Sequence, residues 1–153
     1  MNATAAARQT PGTLRREIFI EADPATVFAF FVDPEKMARW MGTSHTLDAR
    51  PGGAFVVDVV NGFVARGEFR EVTPHTRLVY TWGWDREDAG VPPGTSTIEV
   101  DLEPRDGGTR LVFTHSGLPE PKVASHEEGW DHYLGRLVTA AAGGDPGPDT
   151  WMK

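Results

Sequence analysis

The segment from Glu120 to Ala142 has the hydrophobic spacing of a full-length amphipathic helix. At about 100° per residue, its apolar side chains collect in one stripe, and most of its charged side chains fall elsewhere. The stripe consists of Val123, Trp130, Leu134, Leu137, Val138 and Ala141. A broad apolar surface must receive this stripe, and residues 14–117 have the pattern of strands and short helices. We therefore predict a sheet wrapped around the helix.

Two details of this helix depart from plain core packing. Gly129 and Gly135 lie inside it, where a glycine costs roughly 1 kcal/mol relative to alanine. Their presence indicates close backbone approach or space left for a neighbour. The N-terminal end of the stripe carries His126 and Glu127, where a purely structural helix would carry leucine or isoleucine. We predict that this end faces something polar.

The first part of the chain predicts one strand and two short helices. Alternating apolar and polar residues indicate a strand from Leu14 to Glu21. Asp23-Pro24 then supplies an N-cap and a proline for the first helical position, so we predict a helix from Pro24 to Val32. Asp33-Pro34 repeats this signal and predicts a second short helix that reaches Met41.

The middle of the chain has the alternation of strands, interrupted by turn residues at short intervals. The predicted strands are His45 to Arg50, Ala54 to Val60, Phe63 to Val72, Arg77 to Trp84, Ser96 to Glu103 and Arg110 to His115. Short connections rich in glycine, proline, asparagine and aspartate favour antiparallel neighbours. The sequence therefore predicts an α+β protein in which an antiparallel meander precedes the long helix.

Length and composition limit the organisation of the chain. Its 153 residues fit one domain, which we place at residues 13–142, between a disordered leader at 1–12 and a flexible tail at 143–153. There is no cysteine, which excludes disulfides, thiolate metal sites and cysteine nucleophiles and favours a reducing cytoplasm. The net charge of -7 argues against a nucleic-acid surface. No apolar run is long enough for a membrane span, and the N-terminus lacks the apolar core of a signal peptide.

Several short motifs occur in a characteristic order along the chain. They are Ile20 to Pro24 leading into Val27-Phe28, then Trp40, Arg50 to Gly53, Leu78 to Trp82, Thr114 to Leu118, and Gly129-Trp130 followed by Leu134 and Leu137. This ordered set resembles the activator of Hsp90 ATPase homologue 1-like family of the START/Bet v 1-like (SRPBCC) superfamily. The resemblance implies a helix-grip fold, in which a curved seven-stranded antiparallel sheet grips the C-terminal helix, and a cavity between the two. It leaves function open, because the superfamily includes lipid carriers, polyketide cyclases and co-chaperone domains.

Aromatic residues at period 2 suggest where such a cavity would lie. Tyr80 and Trp82 share one face of a strand, and Phe113 and His115 share one face of another. We predict apolar walls and a few polar contacts for a small apolar or aromatic ligand. The walls would come from Trp40, Met41, Tyr80, Trp82, Phe113 and Trp130, and the polar contacts from His115, His126 and Glu127. The alternative is that these rings fill the core. Direct packing of Trp82 on Trp130 would contradict ligand binding in this form and favour an interaction domain.

The sequence also allows functions other than ligand binding. A polyketide cyclase-like or other small-molecule enzyme could use His115 and Glu127 as an acid/base pair if burial brought the carboxyl pKa towards neutrality. An Hsp90-type chaperone interaction domain is a further alternative that the resemblance allows. No metal site is predicted, because His126 and His132 are six residues apart, about 240° around a helix. No cofactor is predicted either, because the glycine pairs do not match a phosphate-binding loop.

The outer face of the predicted sheet suggests a homodimer. Phe19, Val56 and Val112 place apolar side chains on the face opposite the proposed core, and an open sheet has unpaired edges. A second copy could cover them. The chain has no basic patch that would favour a membrane surface instead.

Overall fold

A seven-stranded antiparallel sheet and one long helix form the frame of the molecule, of which the computed structural model describes residues 12–151. The strands are β1 (Leu14–Ile20), β2 (Ser44–Leu47), β3 (Ala54–Val60), β4 (Phe63–Thr73), β5 (Arg77–Trp82), β6 (Ser96–Arg105) and β7 (Gly108–Ser116). The helices are α1 (Pro24–Val32), α2 (Pro34–Met37) and α3 (Val123–Ala141), with short 3-10 turns at Glu87–Ala89 and Glu120–Lys122. Neighbouring strands follow the order β1-β7-β6-β5-β4-β3-β2. The predicted α+β helix-grip fold is confirmed; residues 1–11 of the predicted leader lie outside the described residues.

Both early helices begin at an aspartate, as predicted. The Asp23 carboxylate accepts a hydrogen bond from the backbone N–H of Thr26 at 2.8 Å. The Asp33 carboxylate accepts one from the N–H of Glu35 at 3.0 Å, and the N–H of Asp33 itself donates to the last turn of α1. One residue therefore ends the first helix and begins the second, which fixes the angle between them.

The second helix is shorter than predicted. α2 ends at Met37, and the N–H groups of Trp40 and Met41 donate to the Met37 carbonyl at 2.9 and 2.8 Å in a following turn. Both side chains are buried, and the Trp40 indole N–H donates to the Phe30 carbonyl at 2.8 Å. The apolar pattern there reflects core packing of a turn and not further helix.

Two irregularities contribute to the curvature of the sheet. The pairing of β3 with β4 shifts register between Asp58 and Val60, and that of β4 with β5 shifts between Phe69 and Glu71. Such bulges bend a strand and increase its twist. They lie in the half of the sheet that ends near the N-terminal part of α3.

Strand β5 ends two residues earlier than predicted. Its pairing with β6 ends at Trp82, opposite Ser96, and the next residue, Gly83, lies against the backbone of Pro92, where a Cβ atom would not fit. Trp84 then forms an isolated bridge with Ala65, and its N–H donates to the Val91 carbonyl at 2.6 Å. The connection between β5 and β6 is thereby folded back onto the end of the strand.

The long helix presents its predicted apolar stripe to the sheet. Its buried residues are Val123, Trp130, Tyr133, Leu134, Leu137, Ala140 and Ala141. Trp130 is only 3% exposed, which agrees with the prediction that this ring is a contact between helix and sheet. Within residues 12–151 no helix is long and apolar enough to cross a membrane.

The two helical glycines are not explained by close backbone approach. A Cβ atom built on Gly129 or Gly135 would meet no atom within 4 Å. Gly135 is exposed, whereas Gly129 is half-buried. At Gly129 the second explanation offered by the sequence, space left for a neighbour, is the one that the structure supports.

The residues after α3 run back along the helix. Arg136 donates through Nε to the Trp40 carbonyl at 3.0 Å and through Nη1 to the carbonyls of Pro146 and Pro148, both at 3.4 Å. Trp151 stacks on His132 with ring centroids 4.9 Å apart. These contacts bring the end of the described chain next to the N-terminal half of α3.

The outer face of the sheet carries the apolar residues noted in the sequence. Phe19 is 47% exposed, and Val56 and Val112 are half-buried. A homodimer formed through this face stays a prediction.

Candidate ligand-binding site

A cavity of about 350 Å³ lies at one end of the interface between α3 and the sheet. Its walls come from the N-terminal half of α3, the β3–β4 hairpin, the end of β5 and the loop that follows, and Trp151. Six of its lining residues are aromatic: Phe63, Trp82, Trp84, Trp130, Tyr133 and Trp151. Gly129 lines it from the helix, at the position where a side chain would project into open space.

Trp82 packs against two other tryptophans of the cavity wall, Trp84 and Trp130. Trp82 lies with its ring centroid 5.2 Å from that of Trp84 and 5.1 Å from that of Trp130. Phe63 contacts Trp84 edge-on at 5.8 Å. Edge-to-face and tilted contacts at these distances are favourable ring geometries. The inner wall is therefore a preformed aromatic surface.

Behind this wall, His115 is locked in a chain of hydrogen bonds. The Trp130 indole N–H donates to His115 Nδ1 at 3.0 Å. The Ser96 hydroxyl donates to the Trp82 carbonyl at 2.7 Å, so its oxygen is left to accept the Nε2–H of His115 at 2.9 Å. Burial, aided by the nearby His126, lowers the pKa of His115 well below its usual value. The imidazole is neutral, with both nitrogens engaged.

His126 makes a similar arrangement with the opposite tautomer. Its Nε2 accepts a hydrogen bond from the Trp84 indole N–H at 3.0 Å. Its Nδ1 lies 2.8 Å from the Lys122 carbonyl, which can only accept, so Nδ1 carries the proton. Burial lowers the pKa of His126 as well. The His126 ring packs edge-on against His115 at 5.6 Å and forms part of the cavity wall.

Within residues 12–151, three buried side-chain polar atoms have no hydrogen-bond partner. They are Thr13 Oγ1, the Tyr80 hydroxyl and the Trp82 indole N–H, and all three are covered by protein. Tyr80 stacks on Phe55 with centroids 4.4 Å apart, and burial raises the pKa of its phenol. Unsatisfied buried groups of this kind cost about 1–3 kcal/mol each.

The structure places the sequence-predicted site residues in two groups. Met41, Trp82, His126 and Trp130 line the cavity. Trp40, Tyr80, Phe113 and His115 are fully buried core residues behind it.

Glu127 lies apart from both groups, with its carboxylate 3.6 Å from Arg16 of β1. Because both His115 nitrogens are bonded to Ser96 and Trp130, these contacts do not assemble the acid/base pair that the sequence suggested.

The position of the open space also differs from the expectation. Trp82 and Trp130 pack directly together, and Phe113 contacts Trp130 at 4.5 Å, so side chains fill the middle of the interface between helix and sheet. The cavity lies beside them, towards Trp84 and the first turns of α3. The arrangement predicted as a sign of a filled core is present, and the space for a ligand is displaced to one end.

Some lining residues were missing from the predicted site. Trp84 shares the period-2 face of Trp82 in the sequence but is not among the predicted ligand contacts. Phe63 and Lys122 are harder to identify from the sequence. Both lie next to turns, where no periodic pattern shows which way a side chain points. Trp151 gave no signal, because its position depends on the path of the tail.

Together, the curved sheet, the gripped helix and the cavity between them define a helix-grip protein. The family model for activator of Hsp90 ATPase homolog 1-like protein matches residues 21–142, and the chain belongs to this family. The predicted family is confirmed.

Solved structures share the fold over most of the chain. An AHSA1-like protein from Rhizobium etli is 51% identical, with a TM-score of 0.73, over 92% of this chain and 88% of that one. DynU16, a protein in the dynemicin biosynthetic locus, is 26% identical with a TM-score of 0.75, over 88% of this chain and 49% of its own. A dimeric Aha1 from Colwellia psychrerythraea, at 19% identity and a TM-score of 0.74 over 86% of this chain and 97% of that one, shows the fold alone.

A shorter similarity connects the chain to a phage protein. Baseplate protein gp16 of Lactococcus phage SK1 is 33% identical over 82 residues. That stretch spans 54% of this chain but only 21% of the baseplate protein. Because so little of the baseplate protein is matched, its function is not transferred to this chain.

Proposed function

We propose that this protein binds a small apolar or aromatic molecule in the cavity between the sheet and the N-terminal half of α3. The observation that carries the proposal is a space of about 350 Å³ with an aromatic inner wall. Ligand sites typically measure roughly 300–1,000 Å³ and are lined mainly by apolar and aromatic side chains. This cavity is at the small end of that range and fits a small molecule.

The cavity wall is held in place from several directions. The Trp84–His126 hydrogen bond joins the loop after β5 to the first turns of α3, and the Trp130–His115 bond joins α3 to β7. A wall fixed in this way loses little conformational freedom when a ligand enters, which favours binding. The similarity to a protein of a biosynthetic locus is consistent with a small-molecule ligand.

Binding without chemistry is the better-supported form of the proposal. A general acid or base needs a nitrogen or carboxylate within reach of the ligand. His126 reaches the cavity, but both of its nitrogens are used in hydrogen bonds to protein groups. An enzyme would have to release one of these bonds during turnover or use Lys122, Asp88 or Glu128, which line the outer part of the cavity.

Indole resonances offer a direct test. Four of the five tryptophans line the cavity, whereas Trp40 is buried elsewhere with its N–H bound to the Phe30 carbonyl. In a ¹⁵N-labelled sample titrated with 1-naphthoate, we expect the indole N–H peaks of Trp82, Trp84, Trp130 and Trp151 to shift. The Trp40 peak should stay in place as an internal control. Absence of shifts at millimolar probe, or equal shifts of all five peaks, would contradict binding in this cavity.

A further inference from the structure

The polar groups of the cavity are unevenly distributed. On the inner wall, the Trp84 indole N–H and both nitrogens of His126 are already engaged, and the Trp82 N–H is covered by protein. The inner wall thus offers a ligand no accessible hydrogen-bond partner from these rings. Burying a polar group there without a partner would be unfavourable, so the part of the ligand that enters must be apolar.

The mouth of the cavity has a different character because Lys122 lies there. Lys122 immediately precedes α3 and is half-buried, with its side chain lying across Gly90 of the loop between β5 and β6. It is the only lysine or arginine among the residues that line the cavity within the described part of the chain. Its ammonium is therefore placed where the outer end of a bound molecule would be.

Two carboxylates, those of Asp88 and Glu128, share this rim, but neither strongly offsets the positive charge of Lys122. Arg86 donates to both oxygens of Asp88, at 3.0 and 2.9 Å, and these bonds lower the pKa of Asp88, with a smaller contribution from the Lys122 charge. Glu128 is exposed to solvent, where its charge is well screened. Of the three charged side chains at the mouth, Lys122 is half-buried, whereas Asp88 and Glu128 are exposed.

From this distribution we infer that the ligand has a flat apolar body that enters between the tryptophans and a single acidic group at its outer end that pairs with Lys122. This inference rests on the proposed function and names the ligand class for the same cavity. An anion at the mouth keeps contact with water, so it avoids the cost of burying a charge. The N-terminal end of α3 adds a weak favourable field, since helix dipoles stabilise negative charge there.

Three probes of one shape and different charge test the inference. They are 1-naphthoate, the neutral 1-naphthalenemethanol and the cationic 1-naphthylmethylammonium, each measured by calorimetry at pH 7.5. We expect naphthoate to bind most tightly and the ammonium least. The naphthoate affinity should also fall as salt is raised, whereas that of the alcohol should change little.

A pair of lysine variants assigns the preference to one side chain. Lys122→Gln should weaken naphthoate about 1.5- to 5-fold, the range of a solvent-accessible ion pair, and should affect the alcohol less than naphthoate. Lys36→Gln is the matched control: this half-buried lysine lies over the Phe30 ring, away from the cavity, and its loss should affect neither probe. The Lys122 carbonyl that holds His126 is a backbone group, so the substitution keeps the wall intact.

The outcomes separate the two proposals. Equal affinity for the three probes, a preference for the ammonium, or an unchanged naphthoate affinity in Lys122→Gln would overturn the acidic-group inference and leave aromatic binding standing. If none of the probes binds and no indole peak moves, both proposals fail.

Discussion

The indole N–H of Trp84 donates to Nε2 of His126 across 3.0 Å, although the two residues are 42 positions apart in the chain. This bond fixes the loop after β5 against the first turns of α3 at the cavity wall. It exists only while His126 Nε2 is unprotonated, because a protonated imidazole has no acceptor nitrogen. The integrity of the wall is therefore linked to pH.

Stability should fall as the pH drops from 7.5 to 5.5. His115 and His126 both have a lowered pKa in the folded protein, so below about pH 6.5 the unfolded chain binds protons that the native state does not. The free energy of unfolding then decreases with falling pH, by up to about 1.4 kcal/mol per histidine for one pH unit below 6.5. Urea denaturation at several pH values measures it. Most carboxylates titrate near about pH 4, outside this window.

Urea denaturation at the same pH values in a His126→Gln variant isolates the contribution of His126 to this pH dependence. Its overall stability will differ, but the comparison concerns the slope of unfolding free energy against pH. We expect a shallower slope, since one proton fewer is taken up on unfolding. A slope identical to that of the unmodified protein would show that His126 is not held neutral by its surroundings.

The two tyrosines of the chain should respond in opposite ways to loss of the hydroxyl. The Tyr80 hydroxyl is buried without a partner, so Tyr80→Phe should leave stability unchanged or raise it by about 1 kcal/mol. The Tyr133 hydroxyl donates to Asp149 at 2.6 Å, so Tyr133→Phe should lower stability by about 1 kcal/mol or more. Chemical denaturation of both variants gives the comparison. Destabilisation by Tyr80→Phe would mean that its hydroxyl has a partner, such as an ordered water molecule.

The fold could be predicted because its signals are local. The aspartate-proline pairs at residues 23–24 and 33–34 mark the starts of two helices within a few residues, and period-2 alternation predicts each strand. The bounds of α1 and β3 agree with the structure residue for residue. The strand ends agree less well. β2 ends at Leu47 and not at Arg50, and β5 ends at Trp82 and not at Trp84, because alternation continues past Gly83, where the loop packs on the backbone.

The site was harder to predict because it depends on contacts that are distant in sequence. The aromatic residues on β5 and β7 were placed correctly on inward faces, but the pattern cannot say whether Trp82 and Trp130 leave a gap or meet. They meet, at 5.1 Å. Likewise the sequence shows His115 as a buried histidine, but its partners Ser96 and Trp130 lie 19 and 15 residues away, and no sequence pattern links either of them to His115.

The contacts of Asp149 should hold the Trp151 side chain in place at the end of the described chain. The Asp149 carboxylate accepts hydrogen bonds from the Tyr133 hydroxyl at 2.6 Å and the Trp151 N–H at 2.9 Å, and its Oδ1 lies 2.8 Å from His132 Nε2. Asp149→Ala removes all three contacts. We expect greater mobility of the Trp151 indole, seen as a lower heteronuclear NOE, and a loss of stability of about 1–3 kcal/mol.

Asp145→Ala is the matched control for Asp149→Ala. The Asp145 carboxylate accepts a hydrogen bond from the nearby Gly147 N–H at 2.8 Å, within the same segment. Its removal should leave the Trp151 NOE unchanged. Equal NOE values in the two variants would argue that stacking on His132 alone holds the ring.

Filling the cavity from the helix gives the sharpest test of where a ligand binds. Gly129 lines the cavity, and a side chain there would meet no atom within 4 Å, so Gly129→Leu places an apolar side chain in the open space. The probe must then displace or overpack that side chain at a cost of about 1–3 kcal/mol, or about 5- to 150-fold in affinity for 1-naphthoate.

Gly135→Leu provides the control, because Gly135 lies on the exposed side of the same helix and is equally free of neighbours. Both substitutions replace a helical glycine and should raise helix stability by similar amounts, up to about 1 kcal/mol. Only Gly129→Leu should impair binding. If naphthoate binds both variants as tightly as the unmodified protein, the ligand lies outside this cavity; if both lose affinity equally, the effect comes from the helix as a whole and not from the space beside Gly129.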